Sequence, residues 1–436
     1  MNNLKIIYHE QFVGVCDFTP HTGKVFFQYS PDFLQTGIAL SPLLMPLENR
    51  VFEFDERVYS PQTFRGLPPL IADSLPDDFG NKMLSQWLVK NNISQNALHP
   101  LEKLCYVGKR GMGALEYEPS YEREDFNDNV SIADLLTVAN EVYFHKTNEA
   151  IPLNDYSQSL STLLRIGSSV GGARAKALIA INEKTQEIKA GDILQGEDYE
   201  YYLIKFDGLK DGKEIEPGGY GILEFIYHKM AVDSKIEMTE CRLLAENGRS
   251  HFLTKRFDRT GGNKIHTSTL CGMAGVDFRQ PNLIGYEDVF RILNLLNMDY
   301  SQKEQLFRRM VFNVLAFNHD DHTKNISFMY EGDKWQLAPA YDMVFAFDPE
   351  SYWLRNHNIN INGKNNNITT DDILTVGEKF GIKKKEGILA DIAEVIRNFR
   401  YYADKYSYPK IGANAIDQIL QNASIQTSGH IDRQSQ

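Results

Sequence analysis

Four cysteines are spread over 436 residues, at Cys16, Cys105, Cys241 and Cys271, and no two form a C-x-x-C pair. That scarcity and spacing exclude a zinc ribbon and a dense disulfide framework, and buried, reduced thiols are expected instead. No stretch reaches the run of about 18 apolar residues that a membrane-spanning helix needs. The opening MNNLKIIYHEQFVG is broken by polar residues every few positions, so no secretory leader is expected and the expected location is the cytoplasm. Positive charge is also short: 46 Lys and Arg against 58 Asp and Glu leave a formal charge of −12. A protein that grips nucleic acid over its whole surface is thereby excluded, and only a local basic spot remains open. No internal repeat is present.

What is there is ordinary globular material, 42% hydrophobic and 24% charged. At this length more than one packed unit is expected. The first hundred residues read as strands followed by a helix. KIIYHEQFVGVCDF and GKVFFQYS are rich in aromatic and β-branched residues. Pro76-Asp77-Asp78 then opens a helix with Met83, Leu84, Trp87 and Leu88 at helical spacing. The Gly-rich GKRGMG near residue 110 reads as a structural turn opening a strand. From about Ser131 the pattern is mixed: DLLTVANEVYFHK, SLSTLLRIG and GILEFIYHKMAV read as helices, and AKALIAI, YEYYLIKF and SHFLTKRFDR as strands. After about Thr260 helices dominate, in YEDVFRILNLL, KEQLFRRMVFNVLAF and GILADIAEVIRNFRYYADKY, before a polar end expected to fray. The expected fold class is α/β: a β-rich N-terminal subdomain (residues 1–125), a small strand-rich lobe (126–258) and a mainly helical C-terminal lobe (259–425), the last two forming a bilobal, protein-kinase-like pair.

The sharpest local feature is NHDDHTKN, residues 318–325, directly after an apolar helix. Phosphoryl transfer from ATP asks for a carboxylate at the attacking hydroxyl and for metal ligands that neutralise phosphate charge. Protein kinases place such an Asp and a metal-binding Asn five positions apart, the separation of Asp320 and Asn325. Asp342 follows 17 residues later in LAPAYDMVFAF, where a second metal-binding Asp is expected, with Met343 in place of the usual Phe. Upstream, Lys205 sits in the alternating strand YYLIKF, the context of a phosphate-pairing lysine. Further upstream, SSVGGARAK offers adjacent glycines and backbone N–H groups able to cradle phosphates. Any one of these is common turn or strand chemistry; their order along the chain carries the reading.

SSVGGARAK, KRFDR at 255–259, NHDDHTKN and LAPAYD together resemble the HipA family of bacterial toxin kinases, as do FRGLPPLIADSLPDDFGNKML and GKRGMGALEYEP at the front. The resemblance runs from near residue 5 to about 405. It implies a serine/threonine protein kinase using ATP and Mg²⁺, with Asp320 catalytic, Asn325 and Asp342 on the metal, and Lys205 on the ATP phosphates. Val170, Gly171, Gly172, Ala173, Arg174, Ala175 and Lys176 would form the phosphate-binding loop, and Lys255 and Phe257 would fall where the family's hinge meets adenine. His322 and Asn325 would complete the nucleotide surroundings. Ser169 matches the family's autophosphorylated serine, with Ser168 as the alternative. Glu224 is the candidate partner of Lys205, with Glu240 as the other possibility. The resemblance further implies a helix-turn-helix, HipB-like antitoxin bound to operator DNA, and a substrate in the translation machinery of the aminoacyl-tRNA synthetase class, such as glutamyl-tRNA synthetase. The run Lys383, Lys384 and Lys385 is the candidate contact to that DNA.

Two other readings stay open at this level. His319 and Asp320 with their neighbours could form a metal-dependent phosphohydrolase site. An inactive kinase fold could serve as an antitoxin's corepressor, a reading at odds with the filled catalytic positions.

Overall fold

The computed structural model describes residues 2–76, 78–90, 98–121, 129–144, 175–207 and 219–431. Three hydrophobic cores organise it, one in the front section, one around a middle sheet and the largest in the helical back half.

The front core lies under a five-stranded antiparallel sheet of β1 (Asn3–Tyr8), β2 (Gln11–Thr19), β3 (Lys24–Tyr29), β4 (Val51–Glu53) and β5 (Leu115–Glu118), in the order β4-β3-β2-β1-β5. The hairpin between β1 and β2 turns at His9 and Glu10, both in the left-handed region. Alternation then does the sorting: Leu4, Ile6 and Tyr8 point to the core while their neighbours face out.

The middle sheet is formed by β6 (Lys176–Asn182), β7 (Ile188–Ala190), β8 (Tyr199–Lys205), β9 (Cys241–Glu246) and β10 (Arg249–Lys255), in the order β7-β6-β8-β10-β9. Strand β6 reads as a nearly continuous apolar run because it is buried along its length. The helix Ile132–Phe144 packs over this sheet, with Leu135 and Val138 in its core. The helix Asp78–Lys90 joins it: Phe79 and Met83 are buried in the middle core rather than in that of the front section. That helix physically bridges the first two units.

Beyond the ribbon β11 (Arg259–Thr260) and β12 (Asn263–Lys264), a three-stranded sheet of β13 (His266–Thr269), β14 (Ser327–Glu331) and β15 (Lys334–Leu337) lies among the helices Tyr286–Leu295, Tyr300–Leu315, Thr370–Lys379 and Lys385–Arg397. The helix read as continuous through residue 406 is broken at Asn398, whose side-chain amide donates to the Glu394 carbonyl at 3.0 Å. A second segment, Phe399–Lys405, follows. The last helix, Lys410–Ile431, extends through much of the stretch expected to fray. All four cysteines are buried, and none is in a disulfide. Among the described residues, no helix is long and apolar enough to cross a membrane.

Candidate active site between the middle sheet and the helical lobe

Lys205 ends β8, and Lys176 opens β6 directly opposite it in register. The helix Tyr220–Asp233 crosses the same sheet, and it can do so because of Gly221, where a Cβ would stand 2.0 Å from the Ser250 carbonyl oxygen. That close approach brings Glu224, one turn further on, to the lysine. The Lys205 ammonium donates to both the Glu224 and the Asp342 carboxylates. Glu240, the other candidate, is exposed, and its carbonyl accepts from the Lys255 N–H at 2.8 Å.

Burial works against the charge on Lys205, yet Asp342 and Glu224 hold its pKa above the ordinary lysine value. Burial likewise opposes ionisation of Asp342, and the neighbouring Lys205 and Lys176 outweigh it, so its carboxyl titrates below the usual range. Asp342 also occupies the left-handed region at φ 54°, a conformation that Asp tolerates better than most residues. The result is a carboxylate fixed in position and held ionised.

The loop carrying Asp320 hangs from the helix Tyr300–Leu315, anchored by Leu306, Phe307, Met310, Val311 and Phe312 in the large core. The adjacent acids of this loop have opposite fates. Asp321 is buried and accepts from the Asn358 N–H at 2.8 Å and the Tyr286 hydroxyl at 3.3 Å, with His357 Nδ1 at 3.2 Å. Asn313 donates to the same tyrosine oxygen at 2.9 Å, and Asn318 to Asn313 at 2.9 Å. This polar network fixes the loop. The Asp320 side chain stays 45% exposed in the cleft, 3.8 Å from His322 Nε2. Partial burial, together with the repulsion of Asp342 and Asp321, raises its pKa against the opposing attraction of His322 and Lys205.

His322 caps the short turn Thr323–Asn325, accepting from the Lys324 N–H at 3.2 Å. Asn325 donates its amide N–H to the Asp320 carbonyl at 2.7 Å, which leaves the amide oxygen as its available ligand atom. An amide oxygen and a carboxylate, Asn325 and Asp342, form the all-oxygen donor set that suits Mg²⁺.

The structure thus brings Lys176, Lys205, Glu224, Asp320, His322, Asn325 and Asp342 to one cleft. Lys255 is less free than its sequence suggests. Its ammonium pairs with Glu200, and its carbonyl accepts from Thr239 Oγ1 at 2.6 Å. Phe257 lies two residues on, its ring 5.7 Å from Tyr341. Ala175 is buried beside Lys176, its carbonyl accepting from the Phe206 N–H at 3.3 Å. Ser168, Ser169, Val170, Gly171, Gly172, Ala173 and Arg174 lie outside the described residues.

His319 is not placed as a hydrolase ligand. Its ring is buried against Phe317, and Nδ1 faces the Leu354 carbonyl at 3.0 Å. Burial and the nearby His357 lower its pKa to about 4. Among the described residues no three His, Cys, Asp or Glu side chains are grouped to hold a metal ion. Of the three lysines, Lys383 lies over the Tyr300 ring, Lys384 takes a left-handed conformation before the helix, and Lys385 pairs with Glu378 and Glu386. Only the first two are exposed.

The contact between KRFDR and the GKRGMG turn was not visible in the sequence. Asp258 is fully buried between Arg256 and Arg259 and accepts the Gly113 N–H at 2.7 Å. Arg259 in turn donates to the Gly111 carbonyl at 2.8 Å and the Gly113 carbonyl at 3.0 Å. The Gly-rich turn of the front section is therefore docked on the segment just after β10, beside Phe257. Gly113 is required there: it has φ 73°, and a Cβ would meet Thr267 at 2.9 Å.

This chain belongs to the HipA family: residues 4–118 match the HipA N-terminal domain and residues 168–400 the HipA-like C-terminal domain. Its fold is that of HipA from Shewanella oneidensis MR-1, solved with HipB and its operator DNA, at a TM-score of 0.68 and 14% identity, covering 99% of this chain and 98% of that one. A curated Haemophilus influenzae protein, described provisionally as a kinase, is 26% identical over 194 residues, 39% of this chain and 57% of the relative's own length.

Proposed function

We propose that this protein is an ATP-dependent kinase that transfers the γ-phosphoryl group to a serine or threonine hydroxyl of another protein. The observation that carries the proposal is the ion cluster of Lys205, Glu224 and Asp342 in the same cleft as Asp320 and Asn325. In this reading Lys205, positioned by Glu224, holds the ATP phosphates. Asp320 orients the acceptor hydroxyl and takes its proton; its raised pKa makes it a better base than an ordinary carboxylate. Asn325 and Asp342 would hold Mg²⁺, which when bound neutralises phosphate charge.

The same proposal takes Lys255 and Phe257 as the adenine side and the loop 170–176 as the phosphate side. It takes Ser169, or else Ser168, as an autophosphorylation site. The likeness to a HipA solved with HipB and operator DNA supports a toxin role with a helix-turn-helix antitoxin as partner. In this reading the phosphorylated protein is of the aminoacyl-tRNA synthetase class, as the resemblance to the HipA family implies. The experiment is incubation with γ-labelled ATP and Mg²⁺, wild type against Asp320→Asn. The wild type should label protein, and the isosteric variant should bind ATP and transfer nothing. Near-normal transfer by the variant, or free phosphate released without protein labelling, would overturn the assignment.

A further inference from the structure

Between Asp342 and Asn358 the chain forms a loop whose two ends are pinned to the catalytic segment. At its start, the Ala346 N–H donates to the Phe317 carbonyl at 2.9 Å and the His319 N–H to the Ala346 carbonyl at 3.1 Å. At its end, the Leu354 carbonyl meets His319 Nδ1 at 3.0 Å and the Asn358 N–H donates to Asp321 at 2.8 Å. The residues bonded at the end, His319 and Asp321, flank Asp320 on both sides. Within the loop, Asp348 Oδ1 accepts the Glu350 N–H at 2.9 Å and the Ser351 carbonyl accepts the Arg355 N–H at 3.1 Å. The tip is thus locally ordered.

That tip presents Tyr352 and Trp353, 59% and 45% exposed, with ring centroids 5.0 Å apart at 84°. Arg355 is exposed too, its guanidinium carbon 5.6 Å from the Tyr352 ring centre. Among the described residues no carboxylate pairs with Arg355, the loop's own Asp348 and Glu350 included. A lone exposed apolar side chain needs no explanation. Tyr, Trp and Arg side by side on a braced loop are different, because these are the residue types that dominate binding hot spots.

We propose that Tyr352, Trp353 and Arg355 form the docking lip for the phosphorylated protein. The lip would hold an acidic and aromatic segment flanking the acceptor hydroxyl, with the guanidinium taking the carboxylate and the rings the aromatic side chain. The position argues for this occupant, since the lip's supports are the immediate neighbours of Asp320. The chemistry argues for an acidic segment, since an unpaired arginine on a chain of net charge −12 is a local exception. This inference rests on the kinase reading but is tested apart from it.

The probe is an array of serine-centred peptides scanned residue by residue at the flanking positions, applied to the full-length protein. Binding is read on wild type, on Asp320→Asn and on the lip variants, and phosphate transfer on wild type and the lip variants. Wild type should prefer acidic and aromatic flanks. Arg355→Glu should reverse the charge preference, and Tyr352→Ala with Trp353→Ala should abolish the aromatic one. Each change should raise the peptide KM about tenfold or more while KM for ATP stays unchanged. The same preferences without phosphate transfer would leave the lip standing and remove the kinase reading. Transfer without flank preference, or variants with unaltered preference, would overturn the lip. Loss of a dimer in sedimentation with peptide preference intact would overturn it as well, making the patch a contact between copies.

Discussion

Asp258→Asn removes one charge from the centre of the dock between the front section and the middle sheet. The carboxylate accepts two bonds from Arg256, at 2.9 and 2.8 Å, one from Arg259 at 2.8 Å and one from the Gly113 N–H at 2.7 Å. Asparagine fills the same volume but turns an NH₂ group towards donors, leaving two buried guanidinium groups short of a counter-charge. Breaking a buried pair from one side costs about 3–5 kcal/mol. With a urea slope of about 3 kcal/mol/M or more for a chain of this size, the unfolding midpoint should fall by about 1 M. Burial alone would raise the carboxyl pKa; Arg256 and Arg259 outweigh it and hold the group below its ordinary value. The folded pKa thus lies below the unfolded one, near 4. The stabilisation is fully present above that pH and is lost as pH falls through the folded value. Wild type and variant should therefore differ most near neutrality and converge in acid. A urea midpoint shift below about 0.3 M at pH 7, or a difference that does not shrink in acid, would refute the assignment of this carboxylate as the dock's centre.

Three further outcomes are expected. Asp342→Asn removes the carboxylate from the Asn325–Asp342 pair and one of the two anions on Lys205; Mg²⁺–ATP affinity, followed by calorimetry, should fall at least about tenfold, with Mg²⁺-free ATP binding less affected. Neutralising Lys383 and Lys384 should lower the salt slope of operator binding by the antitoxin complex by about two units, read from affinities across a salt series, whereas neutralising Lys385 alone, already paired with Glu378 and Glu386, should leave the slope unchanged. Mass spectrometry after incubation with Mg²⁺–ATP should find phosphate on Ser169 rather than Ser168. The modified protein should bind ATP poorly, because about −1.5 to −2 charges would then sit beside the phosphate loop.

The sequence made legible whatever is local in the chain. Asp320 and Asn325 lie five positions apart in one short loop, Lys205 lies in an alternating strand, and the front strands and back helices carry their own periodicities. Partners across large separations were not legible. Nothing near Asp258 announces that its donors include Gly113, 145 positions earlier, and GKRGMG looked like a turn because its glycines also make it one. The doubled acid of NHDDHTKN hid a division of labour: Asp320 faces the cleft, and Asp321 holds the loop through Tyr286, His357 and Asn358. Periodicity found the helix at 78–90 but could not say which sheet its apolar stripe covers. That omission has a physical consequence, because Phe79 and Met83 insert into the middle core while Arg259 grips Gly111 and Gly113. Among the described residues the front section is thus joined to the small lobe through both apolar and ionic contacts, and the ionic contact at Asp258 lies one residue from Phe257. Separate attachments on one lobe resist rotation as well as separation. A perturbation of the front section should therefore be felt first along the segment that follows β10.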